Sequence, residues 1–398
     1  MMLLAAGAFC AFSRIIAAPA ATRETDGAAP AATRAGKTSD WPLFRGNGSA
    51  TGVVQASPPD RPRPTGVAQA TLPDKLELLW TFSVKKGGFQ SSAVIVDGVV
   101  YVGSLNGKFY AVDLASGRPR WEFPTDLGFT AAAAVRDGAV YVGDSNGRFH
   151  CLDARSGKEK WHFDTDAEIS SSANFHGDRV LFGSQDGTLY CLKAATAELV
   201  WKYTSGDQIR CFPTVAADRG FVAGCDGRFH VINLKDGSEA ASVEMDSPTG
   251  STPAVLGNTA FVGTEGKVFM AIDWQRAKVL WQYESPEHGA PFRSSAAVTS
   301  EAVVVGAQDK LLHAIDPKSG KRLWTFPTRG RVDSSPVIVG RRVFVGSCDG
   351  RLYAVDIKTG KEAWRFECGG EVTASPAVAA GRLVIGNDSG NLYCFGAK

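Results

Sequence analysis

The chain carries almost no helical signal: apolar residues seldom recur at three- and four-residue spacing, and 44 glycines break the apolar runs into short pieces. That scarcity excludes a helical bundle or solenoid. It also lacks a charge imbalance. Lys and Arg number 43 against 41 Asp and Glu, scattered among one another, so there is no electrostatic footprint for nucleic acid. No glycine-rich phosphate loop runs from a strand into a helix, and neither Gly-x-Ser-x-Gly nor His-Glu-x-x-His occurs. What is present, 44% apolar and 21% charged residues over 398 positions, is ordinary for a globular protein with a large core.

The first residues, MMLLAAGAFCAFSRIIAAPAA, are apolar and end in small side chains, and they read as a signal peptide over 1–21. Export to the periplasm or cell envelope is therefore expected, with no transmembrane span in the mature protein. Phe9 precedes Cys10 where a lipoprotein box wants a small residue, so a lipid anchor is not supported. Residues 22–40 read as a disordered linker. A lead-in segment over 41–75, opening with WPLFRGNGSATG, is too apolar to be free and too irregular to be a strand, and it is expected to lie against the main body.

From Trp80 onward the chain repeats itself. Tryptophans stand at 80, 121, 161, 201, 281, 324 and 364, at a spacing of about 40 residues with one omission at Ala241. Each unit holds three short apolar runs separated by turn signals, then a Thr-Gly type turn and a strand ending near the Trp. Four strands per unit and eight units specify an all-β, eight-bladed β-propeller over 76–398. The last unit stops before its Trp strand, while LELLWTFSV near the other end is a Trp strand with no unit before it. The N- and C-terminal strands together complete the last blade, which removes an open sheet edge.

Glycines such as Gly107, Gly187, Gly350 and Gly390 follow Asn, Asp or Ser in hairpin turns and are expected at positive φ. Each Trp (Trp80, Trp121, Trp161, Trp201, Trp281, Trp324, Trp364) is expected to dock between its blade and the next, with its indole N–H meeting a partner near the glycine turn. The fourth and fifth units depart from pattern, with Ala241 for Trp and Trp274 to Ala277 where the Thr-Gly turn belongs.

One position just before the innermost strand reads Gln90, Thr130, Ser170, Arg210, Gly250, Arg293, Asp333 and Thr373. A polar residue every 40 positions fits the mouth of a central channel, not a core. Arg210, Arg293 and Asp333 are the candidates for touching an anionic ligand or a partner; a plain alternative is a watery channel plugged by an Arg293–Asp333 ion pair. His150, His230 and His313 share one repeat position with Tyr110, Tyr190, Tyr353 and Tyr393, in alternate blades, too far apart to share a metal, and read as aromatic substitutes. Seven cysteines follow the signal. Matched positions in neighbouring blades lie about 10 Å apart, beyond the roughly 7 Å limit for a disulfide, and Cys211 with Cys225, on opposite faces, is the one pair placed near each other, so buried thiols are expected.

The motif Ala354, Asp356, Thr359, Gly360, Lys361 and Trp364 resembles the tryptophan-docking repeat of the PQQ-like, or quinoprotein-like, β-propellers. That superfamily holds pyrroloquinoline-quinone (PQQ) dehydrogenases and BamB-like outer-membrane assembly proteins. The resemblance implies an exported, monomeric, non-enzymatic scaffold for protein partners in the cell envelope, binding through its upper face at Asp207, Arg210, the Glu287 to Arg293 loop with His288, Arg331 and Asp333. The alternatives it leaves are a PQQ- and Ca²⁺-dependent oxidoreductase and a small-ligand or carbohydrate sensor. An enzyme of that kind needs several carboxylates and a stacking aromatic at the mouth; the ring offers Asp333 and no Trp, and the chain has no adjacent Cys-Cys pair, so no cofactor is expected.

Overall fold

Burial dictates how each unit of about forty residues is layered. In the first blade the innermost strand, Val94–Val96, is three residues long, as a narrowing ring demands. The two middle strands, Val99–Gly103 and Lys108–Asp113, are buried on both faces and read as continuous apolar runs. The outermost strand, Pro119–Pro124, alternates between exposed and half-buried residues because one of its faces meets water. The same antiparallel order recurs in eight four-stranded sheets. The computed structural model describes residues 40–54, 72–245, 247–285 and 289–398. The expected signal peptide, the expected linker up to 39, residues 55–71 of the lead-in segment, and Glu287 and His288 fall outside the described residues, among which no helix is long and apolar enough to cross a membrane.

Glu77–Ser83 pairs antiparallel with Asn391–Gly396, so the eighth blade joins both ends of the chain. There is no single central core. Apolar clusters straddle neighbouring blades, one example joining Ala297 and Val304 of blade six to Val343 and Val355 of blade seven. Each blade therefore depends on its neighbours for burial.

Tryptophan docking follows one geometry. In blade one a bulge sets Ala111 opposite Trp121 and Val112 opposite Pro119, which kinks the outer strand and turns the indole toward blade two. Trp121 Nε1 donates to Ala154 O at 3.0 Å, and Trp80, Trp161, Trp201, Trp281 and Trp324 donate to matching carbonyls of Leu114, Ala194, Leu234, Pro317 and Ile357 at 2.8–3.2 Å. The ring lies on the glycine of the same turn, except at Trp161, whose turn holds Ala197 at that position. Gly360 has φ +67°, and a Cβ there would sit 2.8 Å from the Trp324 ring. Trp364 differs, because the strands it faces in blade eight come from opposite ends of the chain with no turn between them; it meets Phe395 edge-on at 5.5 Å. Gly107, Gly187, Gly350 and Gly390 all hold φ near +83°.

The seam between blades four and five has a replacement for its lost tryptophan. Trp274 reaches back from the blade-five turn, donates to Gly257 O at 3.1 Å and meets Phe221 of blade four edge-on at 5.2 Å. The indole has changed sides of the interface.

The lead-in segment closes the lower end of the channel. Trp41 bridges Ile95, and the carbonyls of Pro42, Gly48, Ser49, Thr51 and Gly52 accept from the amides of Val135, Val215, Val255, Val298 and Ile338. Those amides belong to innermost strands, whose inner edges have no further strand to pair with. Asn174 Nδ2 of blade three donates to Gly48 O at 2.9 Å, so residues 41–54 touch seven of the eight blades in turn.

Candidate functional site

The eight positions read from the repeat converge. Gln90, Thr130, Ser170, Arg210, Gly250, Arg293, Asp333 and Thr373 form the rim of one axial funnel with a volume of about 210 Å³. They meet because each ends the loop that drops into an innermost strand, so a constant offset in sequence becomes a constant height on the axis. Below the rim lies a second ring, two residues further along each strand: Ser92, Ala132, Ser172, Phe212, Thr252, Ser295, Ser335 and Ser375. Phe44 of the lead-in segment reaches the same cavity and stands edge-on to Phe212 at 6.0 Å, so the funnel is closed below by apolar rings.

The second ring stitches the blades together. The amides of Ala132, Phe212, Thr252, Ser295, Ser335 and Ser375 each donate to the hydroxyl of the next blade, on Ser172, Thr252, Ser295, Ser335, Ser375 and Ser92, at 2.9–3.1 Å. The preceding serine adds a parallel stitch, Ser91 to Ala131 O at 2.8 Å and Ser171 to Cys211 O at 2.7 Å. Ser-Ser pairs recur in the sequence at 91–92, 171–172, 294–295 and 334–335. Their recurrence is the signal that a hydroxyl is needed at this height.

Charges at the rim do not pair as the plug alternative expects. Arg293 Nε donates to Glu265 at 2.8 Å, and Asp333 accepts from Arg331 Nε at 2.8 Å and Gln308 Nε2 at 3.1 Å. Each side chain finds a partner nearer than the opposite rim residue, one on the neighbouring hairpin loop and the other two residues upstream. Arg331 also bonds Glu371 at 2.8 Å, and the hydrogen bond to Asp333 above all holds its guanidinium more firmly protonated than usual. Gln90 donates to Asp388 at 3.3 Å and Thr373 to the same carboxylate at 2.7 Å. Arg210 is held by Gln208 Oε1 at 2.9 Å, and among the described residues no carboxylate pairs with it. Asp207 and Arg331 stand outside the funnel lining. A broader depression of about 600 Å³ opens off the rim between Arg210 and Arg293, where Gly250 leaves a gap, and runs over Cys225, Pro248 and Glu265.

Two residues of the upper loops were not legible as candidates. Leu105 and Leu127 are 40% and 51% exposed, and Gly128 packs directly on the Leu105 backbone. Corresponding positions in other blades are polar or small, as at Ser145, Gln185 and Glu265, so the departure from the repeat was the available signal.

The three histidines do more than replace tyrosine. His230 Nε2 meets Asp226 at 2.9 Å, His313 Nε2 meets Asp309 at 2.9 Å and His150 Nε2 meets Asp144 at 3.2 Å. Tyr190 and Tyr353 donate to the equivalent Asp186 and Asp349 at 2.9 and 2.7 Å, so the position is a polar clamp on its own hairpin loop. Among the described residues no three His, Cys, Asp or Glu side chains are grouped to hold a metal ion. The seven described cysteines are free. Burial pushes the Cys211, Cys368 and Cys394 thiols up to about 12, far from a reactive thiolate. Cys225 and Cys348 correct the expectation of buried thiols: both lie half-exposed in upper-face loops, where the hairpin tips meet solvent.

Residues 65–211, 146–306 and 205–395 match the family model described as outer membrane protein assembly factor BamB. No curated protein matches the chain. Among solved structures, BamB from Moraxella catarrhalis is 18% identical with a TM-score of 0.69, covering 81% of this chain and 100% of its own. Quinohemoprotein alcohol dehydrogenase from Comamonas testosteroni is 17% identical with a TM-score of 0.75, covering 92% and 82%. The computationally designed Ika8 protein is 17% identical with a TM-score of 0.72, covering 80% and 99%. An assembly factor, an oxidoreductase and a designed chain thus share the scaffold, which decides fold and leaves activity to the site.

Proposed function

The chain belongs to the PQQ-like β-propeller family described as outer membrane protein assembly factor BamB, and on that basis we propose that it is an exported, non-enzymatic scaffold binding protein partners that assemble outer-membrane proteins. The observation that carries this reading is the upper face. Leu105 and Leu127 stand exposed there as apolar anchors, and Arg210, Arg293 and Arg331 present guanidinium groups beside Glu265, Asp333 and Glu371. Exposed leucines at blade one and mixed charge at the loops before blades four, six, seven and eight suit a partner that buries the former and aligns on the latter. The eight-bladed ring supplies rigidity, since each blade is held by both neighbours.

A quinone-dependent oxidoreductase is the rival reading. It is disfavoured by the single carboxylate of the rim, Asp333, which Arg331 and Gln308 already engage, and by tryptophans that sit on the outer strands instead of the funnel. Affinity capture from an envelope extract tests the proposal, comparing the native chain with Leu105→Ser/Leu127→Ser and with Arg210→Glu/Arg331→Glu. Loss of outer-membrane assembly proteins from both variants, at unchanged melting temperature, is the expected result. Capture unaffected by either variant overturns it, and so does dye-linked oxidation of an alcohol or sugar by the purified chain supplied with PQQ and Ca²⁺.

A further inference from the structure

Two neighbouring notches between blades carry opposite charge. One, of about 490 Å³, lies between the outer strand of blade eight and the second hairpin of blade one; the other, of about 380 Å³, lies one blade further on. Matching residues line both, Phe82 with Phe123, Asn106 with Asn146 and Tyr110 with His150. The second notch holds Asp126, Asp144, Glu159 and Asp164 against Arg148 and His150. The first holds Lys85, Lys86 and Lys108 against one carboxylate, Glu122, which Lys108 already engages at 2.6 Å. Among the described residues no carboxylate pairs with Lys85 or Lys86. Asp388, whose backbone packs on Gly88 of the same loop, turns its carboxylate to Gln90 and Thr373 at the funnel rim.

The inversion runs through several positions of the repeat. Lys85 stands where the second notch has Asp126, and by strand register Pro119 stands where blades two and four have Glu159 and Glu239. Residues 84–90 are one more than the matching stretches 125–130, 165–170, 205–210, 328–333 and 368–373, and the longer loop holds Lys86 at φ +55°, where a lysine is seldom found. The decisive change is at the hydroxyl of Tyr110, a residue only 5% exposed. Tyr190 and Tyr353 donate to Asp186 and Asp349, and Tyr393 donates to Cys368 O at 2.6 Å. Blade one has Asn106 in place of that aspartate. Asn106 keeps its Oδ1 on the amide of Lys108 at 3.2 Å and so presents its Nδ2 to the Tyr110 hydroxyl at 2.8 Å. Tyr110 therefore accepts where its counterparts donate, and among the described residues no group accepts its own hydrogen. A buried O–H left without an acceptor is costly, and an acceptor from outside relieves it. We propose that this notch binds a carboxylate, held by the Tyr110 hydroxyl and the ammonium groups of Lys85 and Lys86, with Phe82 and Pro119 against its carbon chain. The ligand supplies the acid that Asp186 and Asp349 supply within their own blades. A free small acid and an acidic side chain of a polypeptide offer the same group, so the inference does not depend on the scaffold reading.

Isothermal titration calorimetry of the purified chain tests it with four probes at equal ionic strength: glutarate, an acetylated Ser-Glu-Leu-Glu-Ser amide, its Gln counterpart, and inorganic phosphate. Saturable binding of one equivalent with a Kd of about 1 mM or tighter is expected for glutarate or the Glu peptide, and at least tenfold weaker binding for the Gln peptide. Glutarate binding identifies a free acid as the ligand class, and binding of the Glu peptide alone an acidic side chain. Asn106→Asp gives Tyr110 the internal acceptor that Tyr190 and Tyr353 have, so this variant should fold as those blades do and bind at least tenfold more weakly. Lys85→Ala/Lys86→Ala alters only exposed side chains and should weaken binding to the same extent, while Lys158→Ala/Lys235→Ala, at exposed turns on the opposite end of the blades, should leave it unchanged. If Asn106→Asp does not fold, the lysine pairs decide alone. The proposal is overturned if neither carboxylate binds, if phosphate binds and they do not, if the Glu and Gln peptides bind equally, if either folded notch variant keeps native affinity, or if the distant lysine pair weakens binding as much as Lys85→Ala/Lys86→Ala.

Discussion

Adding one methyl group at Gly360 asks whether the tryptophan docks as described. Gly360 holds φ +67°, where an L-residue costs roughly 1–2 kcal/mol, and its new Cβ would lie 2.8 Å from the Trp324 ring. Overpacking of that kind costs typically about 1–3 kcal/mol, so Gly360→Ala should destabilise by about 2–5 kcal/mol in total. The competing effect has the opposite sign. A Gly→Ala change at a permissive site stabilises by about 0.4–1 kcal/mol by restricting the unfolded chain, so the direction of the shift is diagnostic. The chain contains the converse case at Ala197, which occupies the matching turn position with φ +63° beneath Trp161. Ala197→Gly relieves that backbone and should leave stability equal or raise it by up to about 1 kcal/mol. Equilibrium urea unfolding, followed by far-UV circular dichroism and tryptophan fluorescence, measures both. A Gly360→Ala variant within about 0.5 kcal/mol of the native chain, or more stable than it, would refute the stacking of Trp324 on this glycine.

Two further outcomes are expected. Trp274→Ala should destabilise the seam between blades four and five by about 2–3 kcal/mol, less than the roughly 3–5 kcal/mol of Trp324→Ala, because the Trp274 indole hydrogen bond is open to solvent whereas that of Trp324 is partly buried. The triple change Ala241→Trp/Trp274→Thr/Ala277→Gly returns the indole to the ordinary side and should recover most of the loss, and a triple variant no more stable than Trp274→Ala argues against the exchange. Acidification should unfold the ring in a defined window. The Asp113 carboxyl is held down at about 2 by Arg120 and then by Ser116, and the hydroxyls and amides of Ser156, Ser238, Ser319 and Thr359 lower Asp153, Asp236, Asp316 and Asp356 in the same turn. A depressed folded-state value means that these turns contribute fully above the ordinary aspartate value of about 3.9 and lose their contribution as pH falls toward about 2. Melting temperature should hold down to about pH 5 and drop between about pH 4 and 2, with a smaller drop in Asp113→Asn. A profile identical in Asp113→Asn removes that turn from the account.

The repeat made the architecture legible in advance. Every unit carries the same burial pattern and turn chemistry, so the number of blades, the closure by two terminal strands and the eight rim residues all follow from an offset of about 40. Local pattern suffices there because each of those features is settled within one blade. Other features depend on which side chains meet across blades, and for these a period carries no information. Trp274 substitutes for the tryptophan missing at 241 from the opposite side of an interface, Arg293 pairs with Glu265 instead of Asp333, and Leu105 meets Gly128 only once the upper loops are stacked. The lead-in segment is the clearest case. Nothing in WPLFRGNGSATG announces a path along successive innermost strands, because its backbone takes its conformation from edge amides that exist only when the ring has closed. The sequence alone determined the wall; closure of the wall decided what fills its centre, since unpaired strand edges and an enclosed, desolvated axis are properties of the ring and of no single repeat.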